Sequence, residues 1–221
     1  MNPLYRSTVD LDWVTFLLTA SLVLLCVMNY FFRAAFLNFL ILPFTNKYVS
    51  LRRKKGKILE VFHIMMSIIQ ILNLTLFVFI IENIRKENEL GVYNELFFLI
   101  AFCLIGYFIL KILIQIANGY FFGNMELMTE LIFEKLTYFN YGGFIAFIGN
   151  VLLVYVFPQY KPIIYVMLIL IIAINGIGIV RMIRNHQKLI IANIFYFILY
   201  ICTLEISPIT LIISYLNSYS V

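Results

Sequence analysis

Residues 62–81 read FHIMMSIIQILNLTLFVFII, twenty positions without one charged side chain. A helix of about 20 mainly apolar residues crosses the hydrocarbon core of a bilayer. The apolar run here covers 58–81, and five more of the same kind flank it at about 13–32, 95–117, 141–157, 163–180 and 189–216. Lipid offers no partner to an unpaired backbone amide, so each run must be helical. The runs are continuously apolar and do not alternate, which excludes a β-barrel. The expected fold is all-α: a polytopic membrane helix bundle of about six transmembrane helices, forming a single integral membrane domain over 1–221.

Composition supports this reading. The chain is 63% hydrophobic and 12% charged, against roughly 25% charged in soluble domains. The polar connections are too short to form a soluble domain. Cys26, Cys103 and Cys202 each fall inside a span and form no CxxC pair, so they read as small buried hydrophobes. The two histidines, His63 and His186, do not make a zinc site. The first charges, Arg6, Asp10 and Asp12, do not form a basic leader, so the first run reads as a retained helix.

The gaps carry the charge. One set of alternate gaps holds Arg33, the cluster Lys47, Arg52, Arg53, Lys54, Lys55 and Lys57, then Lys135, Arg181, Arg184 and Lys188. The other holds Arg6, Arg85, Lys86 and Lys161. Eleven basic residues against four place the first set in the cytoplasm. Both termini are then periplasmic. Arg52, Arg53, Lys54, Lys55 and Lys57 are candidate contacts for anionic lipid, at about 1 kcal/mol per basic residue. No nucleic-acid partner is expected of so short a segment beside a membrane.

Residues 118–140 are mixed in character. Glu126, Glu130 and Glu134 recur every four residues, with Leu127, Leu131 and Phe133 off that line. This pattern predicts a cytoplasmic interfacial amphipathic helix with its acidic face outward. The three carboxylates read as a solvated face; no metal and no cofactor is expected.

Polar residues inside the spans are the candidates for function. Glu205 is a carboxylate in mid-span, which costs on the order of 2.5–3.5 kcal/mol on insertion scales. Pro208 frees the carbonyl of Leu204 beside it, and Ser207 is adjacent. His63, Ser67, Gln70 and Asn73 line one face of the second span. Lys111 lies inside the third span, at a depth roughly 15 Å from that of Glu205, so it is expected to snorkel inward to the aqueous boundary. Glu205, Ser207, His63, Gln70, Asn73 and Lys111 form the candidate intramembrane polar site. They serve either as a protonatable path or as helix–helix glue. Nothing suggests a catalytic group. Gly142, Gly143, Ala146, Gly149 and Asn150 make the fourth span a surface for close helix approach, either to a membrane-protein partner or in self-association.

Three stretches carry a family likeness: Asp12-Trp13-Val14-Thr15, then Glu134-Lys135-Leu136-Thr137-Tyr138-Phe139-Asn140, then Phe195-Tyr196-Phe197-Ile198-Leu199-Tyr200-Ile201-Cys202-Thr203-Leu204-Glu205-Ile206-Ser207-Pro208. In these, and in length and span order, the chain resembles the Bacteroidota inner-membrane proteins grouped as domain-of-unknown-function family 4271. The resemblance implies a multi-pass inner-membrane protein of a Gram-negative bacterium and supplies no activity. The preferred expectation is a non-enzymatic accessory or assembly component acting through protein contacts, with membrane lipids around it. The alternative is a small solute or proton transporter or channel that uses Glu205.

Overall fold

The computed structural model describes residues 12–44, 47–86, 94–121, 125–158 and 160–185, with side chains described except at 47–60, 86, 94, 118, 121 and 126–128. The described residues are helical apart from short turns. The elements are α1 (Asp12–Phe31), α2 (Arg33–Leu40), α3 (Lys47–Lys86), α4 (Asn94–Phe121), α5 (Met125–Val151) and α6 (Lys161–Asn185). Met1–Gly178 is one compact unit, and every contact below lies within it; Ile179–Val221 is a second. Among the described residues, five helices are long and apolar enough to cross a membrane, and the chain is a membrane-embedded helical protein. The expected sixth span, 189–216, lies outside the described residues.

Local chemistry sets the helix limits. At Phe32 the backbone leaves the helical region (φ −123°, ψ 38°). The bend keeps its hydrogen bonds, Phe32 N–H to Met28 C=O at 2.8 Å and Phe36 N–H to Phe32 C=O at 2.9 Å. At the far end of α5 the backbone widens into one π turn over Leu152–Val156. Phe157 N–H then reaches the Leu152 carbonyl at 2.8 Å, and Pro158 cannot continue the ladder. Pro162 sits in the first turn of α6, where its missing N–H is no loss.

Two of these helices differ from the sequence expectation. The basic cluster is not a loop: it forms the first part of α3, a helix of 40 residues. At about 1.5 Å per residue, α3 is roughly twice the thickness of a hydrocarbon core. Its apolar portion is Val61–Arg85, so the basic residues continue the helix beyond it. Lys and Arg are good helix formers, and no proline interrupts the junction. Likewise, the mixed segment before the fourth span is not a separate element. Residues 125–151 run as one helix, and Leu131, Phe133, Glu134, Lys135, Thr137, Tyr138 and Asn140 are buried in it. Glu134 therefore departs from the outward acidic face.

Packing centres on α3, which touches α1, α2, α4 and α5, with its largest interface on α5. One apolar cluster joins Val14 and Leu18 to Leu76, Phe77, Phe79 and Ile80, with Leu153, Val154 and Met167. A second joins Leu25 and Met28 to Phe39, Leu42, Phe62, Met66, Ile69 and Phe133. On α1 and α3, a polar layer of Ser21 and Asn73 sits between them. Cys26 and Cys103 are exposed, contrary to the expectation of burial. An outward thiol in a span meets hydrocarbon, which suits a small apolar group.

Candidate functional site

The polar residues of α3 point into the bundle, and glycine brings α5 to them. A Cβ on Gly143 would stand 2.5 Å from Gln70 Cα and 2.7 Å from its Cβ. No side chain fits there, so the two helices meet at backbone distance, as small residues permit in membrane bundles. Gly142 faces Asn175 and Ile171 of α6, and Gly149 faces Met167 and Phe77. The small-residue faces of α5 are thus occupied within the chain.

Around this crossing runs a chain of side-chain hydrogen bonds. Asn150 Nδ2 donates to the Asn73 carbonyl at 2.9 Å. Asn73 Nδ2 donates to Ile69 C=O at 2.9 Å and to Ser21 Oγ at 3.2 Å. Ser21 Oγ donates to Leu17 C=O at 3.0 Å. Three helices, α5, α3 and α1, are joined by neutral groups. Ser21, Asn73 and Asn150 are fully buried. Among the described residues, Gln70 Nε2, Asn73 Oδ1 and Asn150 Oδ1 have no hydrogen-bond partner.

Two turns earlier on α3, His63 packs on the Phe133 ring at 4.7 Å. Asn140 Nδ2 lies 3.4 Å from His63 Nδ1, where the tautomer sets the roles, and 3.4 Å from the His63 carbonyl. Ser67 Oγ is 2.9 Å from the His63 carbonyl and 3.2 Å from Asn140 Oδ1. Its single proton serves one of the two.

Lys111 lies elsewhere and does not snorkel. It is 8% exposed. Its ammonium lies 3.3 Å from Tyr107 Oη, one turn back along α4, and 4.9 Å from the centre of the Phe139 ring. An α-helical side chain leans toward the N-terminus of its own helix, and that direction carries Lys111 away from the nearer end of α4. It lines a small pocket with Lys135 instead, which is 7% exposed. The antiparallel hairpin of α4 and α5 explains the meeting. Three residues separate Phe121 from Met125, and each lysine lies ten residues from that turn. Lys111 and Lys135 share a small pocket with Gln115, Phe108, Ile112, Ile132, Leu136 and Phe139.

Of the sequence candidates, His63, Gln70 and Asn73 therefore lie along the α3–α5 seam, and Lys111 lies between α4 and α5. Glu205 and Ser207 fall outside the described residues, as do the side chains of Arg52, Arg53, Lys54, Lys55 and Lys57. Sequence reasoning missed Ser21, Asn140 and Lys135 as members of these clusters. A polar residue within an apolar run was the available signal for Ser21 and Asn140. Among the described residues, no group of three His, Cys, Asp or Glu side chains could hold a metal ion.

A family model described as a domain of unknown function, DUF4271, matches residues 14–216. The chain belongs to family DUF4271. The match spans both the bundle and the residues beyond α6. Neither the curated proteins nor the solved structures gave a match. For this DUF4271 chain, the chemistry of its own residues is the guide to function.

Proposed function

We propose that this chain is a non-enzymatic component of the inner membrane, an accessory or assembly subunit that works through protein contacts within the bilayer. One observation carries the reading. The polar face of α3 is spent on joining α1 and α5, and at Gly143 the α3–α5 crossing closes to backbone contact. A solute path between these helices would need polar groups facing an open lumen. Neutral amides bonded across a closed seam act as glue. The orientation that goes with this reading keeps the basic cluster of α3 in the cytoplasm and the termini in the periplasm; the uneven distribution of Lys and Arg supports it. With the glycine faces of α5 engaged internally, contacts with a partner fall to the outward apolar faces, such as Phe98, Phe102 and Ile109 on α4.

Purification in mild detergent tests the proposal. A partner should co-purify in equal amount and be lost when Phe102 and Ile109 are changed to Ala. The chain recovered alone, however gently extracted, contradicts the reading.

The alternative is a small solute or proton transporter or channel using Glu205. Its specific support is the trio of buried polar atoms on Gln70, Asn73 and Asn150 that lack a hydrogen-bond partner among the described residues. Reconstituted vesicles should then show flux that Glu205→Gln abolishes.

A further inference from the structure

A pocket lies where the first turns of α1 and α4 come together. Trp13, Phe16 and Leu17 of α1 form one side, and Phe97 and Phe98 of α4 form the other. The α1 residues follow one another at helical spacing and share one face. Edge contacts to Phe79 at 5.2 Å and Phe97 at 5.3 Å hold the Trp13 ring in place. Phe16 and Phe98 are 70% and 69% exposed, so the pocket opens away from the bundle. Its volume is about 230 Å³. A dry apolar cavity of about 150 Å³ already accepts benzene.

The walls select the occupant. Apart from the indole N–H, the five lining side chains are hydrocarbon. An ordered water needs two to four polar partners, which this lining does not offer. A run of methylenes needs none. Depth points to a phospholipid as the source. Trp13 is one residue inside the apolar limit Asp12, and Phe97 and Phe98 are two and three residues inside Glu95. Each is therefore within about 5 Å of the boundary along its helix. There the hydrocarbon core gives way to the polar interface, the level at which Trp is enriched. Trp13 Nε1 is buried and has no hydrogen-bond partner among the described residues, whereas a buried indole N–H usually finds one. A phospholipid brings both an apolar chain for the pocket and ester oxygens at the level of the indole.

We infer that this pocket holds the upper part of one phospholipid acyl chain, with an ester oxygen as acceptor for Trp13. The site does not depend on the proposed partner contacts. Phe98 borders both surfaces, but Phe102 and Ile109 do not line the pocket, so changing them to Ala leaves lipid binding intact.

The probe is phosphatidylcholine with brominated acyl chains, which quench tryptophan on contact. Trp13 is the chain's single tryptophan. The full chain in detergent micelles is titrated with this lipid. Emission should fall and level off near one lipid per chain, and bromines close to the carbonyl should quench more than bromines near the methyl end. Leu17→Phe, which fills the pocket, should abolish the saturating phase. Phe16→Ala, at an exposed wall and so mild for folding, should raise the lipid needed for half-quenching several-fold. A brominated alkane brings no acceptor and should also require several-fold more. For comparison, Trp13→Phe combined with Ile169→Trp moves the tryptophan to a position of α6 that is 65% exposed; its quenching should rise gradually, without a plateau. The inference is overturned by gradual quenching of Trp13 itself, by saturation that both pocket variants leave unchanged, or by equal potency of the alkane.

Discussion

Asn150 Nδ2 donates to the backbone carbonyl of Asn73 across the α3–α5 interface at 2.9 Å. A helix carbonyl normally accepts from the amide four residues on, so Asn150 uses the second lone pair of an oxygen inside the ladder. The bond ties side chain to main chain and would survive most substitutions at Asn73. Asn150 itself is the member that cannot be replaced.

Asn150→Val should therefore destabilise the bundle by about 1 kcal/mol, the scale of interhelical hydrogen bonds in membranes. Asn73→Val removes the bond to Ser21 and leaves the one from Asn150. The double variant should cost close to the sum of the two, because the carbonyl of residue 73 is kept. Unfolding by a denaturing detergent, read by circular dichroism, checks this. Full loss of the Asn150 effect in the Asn73→Val background would show that the side chains, not the carbonyl, hold the contact.

Gly143 and Gly176 make a matched pair of tests. A Cβ at Gly143 meets Gln70 Cα at 2.5 Å, whereas one at Gly176 has nothing within 4 Å. The neighbour at Gly143 is backbone, so only a shift of the helices makes room. Gly143→Ala should cost about 1–3 kcal/mol, as overpacking does. Gly176→Ala should be neutral, or stabilising by up to about 1 kcal/mol from helix propensity. The same unfolding assay separates the two, and equal effects would contradict the described crossing.

Trp13 is the chain's single tryptophan and a ready probe of the α1–α3–α4 contact. Its ring meets Phe79 at 5.2 Å and Phe97 at 5.3 Å, both edge to face. Its emission should be blue-shifted and resistant to aqueous iodide. Phe97→Ala should open the site and shift the emission to the red. Emission already at the wavelength of free indole in the unaltered protein would refute this packing.

The apolar runs made the helical class and the membrane setting legible in the sequence, because length and continuity of apolar residues are what lipid demands of a span. Residues 118–140 were harder to read. Glu126, Glu130, Glu134 and Lys135 lower the local hydropathy, so the segment reads as a separate surface helix, yet α5 passes through it unbroken. No glycine or proline lies between Met125 and Tyr141 to stop it. The polar face of α3 was visible as a helical repeat, but its partners Ser21 and Asn150 depend on how helices cross. Lys111 shows the limit most clearly. Rise along α4 alone gives its depth and says nothing of which helix lies beside it. Its actual neighbour, Lys135, follows from counting both helices back from the α4–α5 turn.

Accessibility of the α3–α5 seam to water tests the central claim most directly. In a chain with its three cysteines replaced by Ala, single Gln70→Cys, Asn73→Cys and Tyr160→Cys variants would be treated in sealed vesicles with a membrane-impermeant maleimide, from each side in turn. Tyr160 is exposed beyond the end of α5 and should label from one side. The account predicts that Gln70→Cys and Asn73→Cys label from neither. Labelling of either at a rate close to that of Tyr160→Cys would place water in the seam and contradict a structural role for its polar residues.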